Sequence, residues 1–174
     1  VENAIDAGAT RIEITVNGGG RSFIGVADDG VGMTSDDLTL AVERHATSKL
    51  SDDDLTEIAT LGFRGEALPS IGAVARLRIV TRQYNADAGW EIRVEGGAVH
   101  GAEPASRGPG TTVEVADLFF ATPARLKFLK TERSENGAVS DVVKRLAMAH
   151  PEIGFTVSYD GRKSLAYQAE AGDL

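Results

Sequence analysis

The sequence predicts an α/β fold, an α+β two-layer sandwich: a mixed, largely antiparallel sheet covered by helices on one face. Two observations lead there. Stretches that alternate polar and apolar residues arrive largely as hairpin pairs, and helix-like segments are inserted between them. The 174 residues are 42% hydrophobic and 25% charged, enough for one core in one domain.

Val1 to Ala7 reads as the end of a helix stopped by Gly8 in the left-handed conformation. Arg11-Ile12-Glu13-Ile14-Thr15-Val16 alternates in the β manner. Gly18 to Gly20 forms a tight connection, and Ser22 to Ala27 returns as a second strand. After Asp28-Asp29-Gly30-Val31-Gly32, Thr34 or Ser35 caps a helix with Leu38, Ala41 and Val42 on one face, fading near Arg44. Ser51 caps a second short helix whose Asp52, Asp53 and Asp54 suit the positive end of its dipole.

A glycine-punctuated loop, Leu61 to Ala67, leads into a helix over 67–75 that accepts Pro69 in its first turn. Arg76–Arg82, Trp90–Val94 and Thr111–Val115 read as strands, Pro123–Lys130 and Glu135–Ala149 as helices, and Phe155–Tyr159 as a strand. Glu103 to Gly110, with Pro104, Gly108 and Pro109, is the one linker-like stretch, and no repeat or heptad array interrupts the pattern.

The absence of cysteine rules out disulfides, thiolate zinc sites and cysteine nucleophiles. The longest stretch without charge, Ala67 to Ala75, falls far short of the ~20 apolar residues of a membrane-spanning helix. With 18 Lys and Arg against 26 Asp and Glu, the net charge is −8, which gives no general footing for phosphate backbones. His45, His100 and His150 have no metal-ligand spacing, and neither a nucleophile elbow, a P-loop nor a dinucleotide fingerprint occurs.

Six places in the sequence are candidates for chemistry. At Asp28-Asp29-Gly30-Val31-Gly32 a strand delivers a carboxylate into a loop whose glycines permit close approach. A fixed carboxylate accepts from the exocyclic amino group of adenine and repels the carbonyl of guanine; a plain strand-to-helix turn or a calcium-like loop are the alternatives. Gly62 to Leu68 frees backbone N–H groups where a helix starts, an anion cradle assisted by Arg64, or else a helix connection with a surface arginine.

Arg44 to Lys49 reads as a lid over a nucleotide or as an exposed polar linker. Asn3 offers an amide oxygen to Mg²⁺ held mainly by phosphates, and Gly110-Thr111-Thr112 offers a hydroxyl or opens a strand. Arg125, Lys127, Lys130 and Arg133 read first as a solvated face and second as a phosphate contact.

Taken in order, Val-Glu-Asn-Ala-Ile-Asp-Ala-Gly-Ala-Thr (1–10), Asp-Asp-Gly-Val-Gly-Met (28–33), Arg-His-Ala-Thr-Ser-Lys (44–49), Gly-Phe-Arg-Gly-Glu-Ala-Leu (62–68) and Gly-Thr-Thr-Val-Glu-Val (110–115) resemble the MutL family of mismatch repair proteins. Asp117-Leu118-Phe119-Phe120, followed by Thr122-Pro123-Ala124-Arg125 and Lys127-Phe128, extends the likeness over essentially the whole chain. That resemblance implies a GHKL ATPase domain of Bergerat type spanning 1–174, truncated at its N-terminus and ending before a second domain.

Residue by residue, it implies Asn3 as Mg²⁺ ligand, Asp28 as adenine reader, and Gly30, Gly32 and Met33 along the ATP. Thr47, Ser48 and Lys49 then belong to the lid, and Gly62, Phe63, Arg64, Gly65, Glu66, Ala67 and Leu68 hold the phosphates. Thr111 supports the adenine side. The family's general base, a Glu four residues before the Asn, falls upstream of Val1, so no catalytic residue is assigned and hydrolysis by this fragment is expected to be impaired. A Lys that the family brings from a second domain falls beyond Leu174. Ala121 stands where relatives often have Asn.

The function expected is Mg-dependent ATP binding with slow hydrolysis, a conformational switch in DNA mismatch repair. Expected partners are a second copy on ATP binding, a mismatch-recognition protein and downstream repair enzymes, with DNA for the full-length dimer and no membrane. The expected location is cytoplasmic, at the nucleoid during repair. The alternatives are another GHKL ATPase of topoisomerase type and a non-catalytic nucleotide-gated adaptor.

Overall fold

The computed structural model describes residues 1–43 and 65–171. Among them, eight strands form a single sheet in the order β5-β4-β3-β6-β2-β1-β7-β8. The strands are β1 (Arg11–Asn17), β2 (Phe23–Asp28), β3 (Arg76–Arg82), β4 (Gly89–Glu95), β5 (Ala98–Ala105), β6 (Gly110–Ala116), β7 (Gly154–Tyr159) and β8 (Arg162–Tyr167). Only β1 and β7 run parallel; every other pair is antiparallel, so the sheet is mixed and largely antiparallel as expected.

The register explains why one face takes all the helices. Residues directly opposite one another on paired strands share a face. The pairings Ile14↔Val157, Ile14↔Val26, Val26↔Val113, Val113↔Ile79 and Ile79↔Ile92 therefore lay one apolar row across the sheet. On it pack helices α1 (Glu2–Asp6), α2 (Ser35–Ala41), α3 (Ala67–Val74) and α4 (Glu132–Ala149).

Two clusters result. Ala4 and Val143 join Ile12, Ile14, Val16, Phe155 and Val157 under α1 and α4. Leu38 and Val42 join Leu77, Ile79, Ile92 and Val94 under α2 and α3. Each fully buried Leu, Ile, Val or Phe contributes roughly 1.5–3 kcal/mol relative to exposure. The opposite face bears charge: Arg78 donates to Glu91 at 2.7 Å and to Glu114 at 3.0 Å.

Local chemistry sets the ends of the helices. Gly8 follows α1 at φ 71°, the left-handed stop expected of it. Thr34 caps α2 reciprocally with Asp37, whose N–H reaches the Thr34 hydroxyl at 3.1 Å.

Three expectations change. Glu103 to Ala105 belong to an edge strand, because β5 returns from β4 through Gly96 and Gly97; Pro104 stands opposite Trp90, on an edge where proline is tolerated. Pro123–Phe128 is a 3₁₀ helix rather than an α-helix, and α4 starts earlier than Glu135, at Glu132, because Thr131 caps it by accepting from the N–H of Ser134. β8 went unread: its burial alternates weakly at the sheet's other edge. The helix expected after Ser51 lies outside the described residues.

Candidate nucleotide-binding site

The sheet's two central strands, β2 and β6, run between the two apolar clusters, and at one end their apolar row turns polar. Asp28 pairs with Thr111 and Thr111 with Thr81, so the three side chains share the helix-covered face. Thr81 is completely buried and Thr111 nearly so. Alternation along each strand thus delivers a carboxylate and two hydroxyls to the seam under the helices.

Asp28 turns inward and accepts from the Gly30 N–H at 2.8 Å. Burial pushes its carboxyl above the ordinary aspartate range, while the N–H groups of Gly30 and Thr111 and the Arg107 charge pull the other way. Arg107 clamps the same strand end: its Nη2 donates to the Asp28 carbonyl at 3.0 Å and its Nε to the Thr112 hydroxyl at 3.0 Å. Arg82 in turn donates to the Arg107 carbonyl at 3.2 Å.

The loop after Asp28 is fastened at three points. The Val31 N–H donates to the Ala7 carbonyl at the end of α1, and the Met33 N–H to the Thr81 hydroxyl, at 3.0 and 2.9 Å. Gly32, at φ 71°, lies against the Arg82 carbonyl so closely that no Cβ fits. A Cβ on Gly30 would stand 2.8 Å from Ala7. Both glycines are therefore required by the chain's own packing, a stronger reason than the ligand approach expected of them.

Gly65 (φ 64°) and Glu66 lead into α3, whose Leu68 packs on the same apolar cluster as Met33. The start of α3 and the Asp28 loop are thus joined through one core. Asn3 is exposed on α1, whose end the Val31 hydrogen bond ties to the loop. Thr47, Ser48 and Lys49, with Gly62, Phe63 and Arg64, lie outside the described residues. Thr81 and Arg107 escaped sequence reading. Thr81 fills an inward slot of β3 where Leu77 and Ile79 set an apolar pattern, the one signal of its place; Arg107 sits in the stretch read as linker.

Among the described residues no group of three His, Cys, Asp or Glu is disposed to hold a metal. A protein-caged calcium loop finds no support there, whereas a single amide oxygen such as that of Asn3 suits Mg²⁺ whose other ligands are phosphates and water. A hollow of about 340 Å³ lined by Arg82, Gly89, Ser106 and Arg107 opens beside the site rather than in it. No helix among the described residues is long and apolar enough to cross a membrane.

A carboxylate at the end of an inner strand, hydroxyls beside it and a glycine-bearing loop between sheet and helices mark a class of nucleotide-binding α/β sandwiches. The chain belongs to the histidine kinase-, DNA gyrase B- and HSP90-like ATPases, whose family model matches residues 1–113. The resemblance to MutL holds over nearly the whole chain. It is 61% identical over 173 residues to the DNA mismatch repair protein MutL of Azorhizobium caulinodans, covering 99% of this chain and 28% of that protein. It is 63% identical over 169 residues to that of Rhodopseudomonas palustris (strain HaA2), again 28% of the relative.

The chain thus spans just over a quarter of the length of these curated relatives. Among solved structures it is similar to the Aquifex aeolicus MutL ATPase domain complexed with ADP, with a TM-score of 0.81 and 32% identity, covering 98% of this chain and 60% of that one. The Bergerat-type α/β sandwich expected from the motifs is the observed fold.

Proposed function

We propose that this chain forms most of a MutL-type ATPase domain that binds Mg·ATP and, in the full-length protein, hydrolyses it slowly as a conformational switch in DNA mismatch repair. The observation that carries the reading is the placement of Asp28 beside Thr111 at the seam of the two cores, with the 28–33 loop fastened over them. Asp28 accepts from the adenine amino group, a reading supported by its inward turn under the helices, where burial raises its proton affinity.

Gly65 to Leu68 offer backbone N–H groups to the phosphates at the start of α3, and the resemblance assigns Gly62 to Arg64 to the same phosphate cradle. Asn3 supplies an amide oxygen to Mg²⁺, which when bound neutralises the charge developing on the transferring phosphoryl group. Met33 lines the base, held in place through its N–H on Thr81. Thr47 to Lys49 act as the lid. Binding orders the lid and draws two copies together, and hydrolysis releases them.

The partners in this reading are a second copy, a mismatch-recognition protein and downstream repair enzymes. DNA joins the full-length dimer, in the cytoplasm at the nucleoid. A thermal-unfolding titration with ATP and Mg²⁺, against GTP and against Asp28→Asn, tests the site: ligand at 100 Kd adds about 2.7 kcal/mol of stability. Stabilisation by ATP, weaker with GTP and lost in Asp28→Asn, is expected; equal response of both proteins or of both nucleotides overturns it.

A further inference from the structure

Thr81 is a fully buried hydroxyl in a slot that its strand otherwise fills with leucine and isoleucine. Valine would occupy the same volume without a polar group to satisfy, so the hydroxyl calls for a reason. Its oxygen stands 2.9 Å from the Met33 N–H, 2.9 Å from the Thr111 hydroxyl and 3.3 Å from the Gly110 carbonyl. A hydroxyl has one proton and two acceptor positions.

Two of the three partners have fixed polarity: the Met33 N–H only donates and the Gly110 carbonyl only accepts. Thr81 therefore accepts from Met33 and donates to Gly110, and its remaining acceptor position takes the Thr111 proton. Each proton and each acceptor position is then used once. The reverse order, Thr81 donating to Thr111, leaves the Gly110 carbonyl facing a lone pair in a buried setting.

We propose that Thr81 is a specificity-determining residue of the nucleotide site, fixing the Thr111 hydroxyl as an acceptor so that the base-reading end selects a 6-amino over a 6-oxo purine. The inference rests on the nucleotide reading above. With its proton committed to Thr81, the Thr111 oxygen presents lone pairs only, as does the ionised Asp28 carboxylate beside it. Two acceptors on one face complement the two N–H donors of an adenine amino group. They meet a 6-oxo purine with unpaired oxygens on both sides. The Gly110 carbonyl is the lock: it takes the one Thr81 proton, while the Met33 N–H fills one of the two Thr81 acceptor positions and leaves the other for Thr111.

The test compares affinities for ATP and for inosine triphosphate, which differ at the 6-position, in the wild-type chain, Thr81→Val and Thr81→Ser. Thr81→Val releases the Thr111 proton and should cut the ATP-to-inosine-triphosphate ratio roughly tenfold, the scale of one mispaired buried hydrogen bond. Thr81→Ser should restore it. Equal weakening of both nucleotides, with the ratio unchanged, overturns the proposal and leaves Thr81 as a support of the Met33 loop. If Thr81→Val loses its cooperative melt, Thr111→Val decides, since an unchanged ratio there removes the acceptor argument. A wild-type chain that binds neither nucleotide fails the nucleotide reading itself, and this inference with it.

Discussion

Asp28 and Asp29 are neighbours in the chain, and their surroundings shift their carboxyls in opposite directions. Asp28 turns under the helices, where burial raises its proton affinity above that of an ordinary aspartate at 3.8. Asp29 turns outward. Its slight burial is outweighed by the Thr10 hydroxyl and the N–H groups of Arg11 and Thr10, which hold it below the usual range. Successive residues at the end of β2 thus separate an inward-turned acid from one that staples the loop to the start of β1, with Asp29 Oδ1 accepting from Thr10 and Arg11 at 2.8 and 2.9 Å.

The two substitutions should act with opposite sign on the ligand-free protein. The stability due to Asp29 is present above 3.8 and is lost as pH falls through its lowered value, so Asp29→Ala, at an exposed site screened by solvent, should cost about 0.5–1.5 kcal/mol at neutral pH and less in acid. Asp28 favours its protonated form when folded, a contribution full below 3.8 and lost as pH rises through its raised value. Asp28→Asn should therefore leave neutral-pH stability unchanged or higher while ATP stabilisation disappears. Urea unfolding across pH checks both; a loss of neutral-pH stability in Asp28→Asn would contradict the assignment.

Gly8 and Gly32 share a φ of 71° and differ in surroundings: nothing lies within 4 Å of a Cβ on Gly8, whereas one on Gly32 meets the Arg82 carbonyl. Gly8→Ala should cost about 1–2 kcal/mol, the left-handed penalty alone. Gly32→Ala should add roughly 1–3 kcal/mol of overpacking and displace the loop. Chemical denaturation of the pair measures the difference, and equal costs would show that the loop moves aside freely.

Arg107 secures the strand end that carries Asp28. Arg107→Gln removes the charge that eases ionisation of Asp28 and weakens the bond to its carbonyl, so the carboxyl should titrate at still higher pH. Carboxyl-carbon NMR of Asp28 reads this directly. A titration unmoved by the substitution would show that the N–H groups of Gly30 and Thr111 suffice.

Thr34 holds the start of α2, which carries Leu38 into the second cluster. Thr34→Ala should cost about 0.5–2 kcal/mol, and Thr34→Ser should recover most of it. Thermal melts of the three proteins test the cap; no loss in the alanine protein would mean that α2 is held by Leu38 and Val42 alone.

Most of the fold was legible because its signals are local. The β1–β2 hairpin, the Thr34 cap, the Gly8 stop and the 67–74 helix each follow from residues a few positions apart. β5 was hidden by Pro104 and by exposure along nearly its whole length, since an edge strand has little reason to alternate. β8 was hidden in the same way. The 123–128 segment has helix-like composition, yet it forms a 3₁₀ turn after a chain reversal with Asp117 and Phe119 at positive φ.

By itself the sequence determined the alternation of strands and helices, the placing of Asp28 ahead of a glycine loop, and the MutL likeness of its motifs, because each is written in short-range order. Tertiary structure decided which residues meet. Pairing β2 with β6 and β6 with β3 brought Asp28, Thr111 and Thr81 into one row from positions up to 83 residues apart in numbering, through the register between Asp28 and Thr111 and between Thr111 and Thr81. It also turned Arg107 from a linker residue into the clamp on Asp28. Side-chain period fixes only which face a residue shares with its own strand, and the partner across the ladder comes from packing two apolar clusters over one sheet.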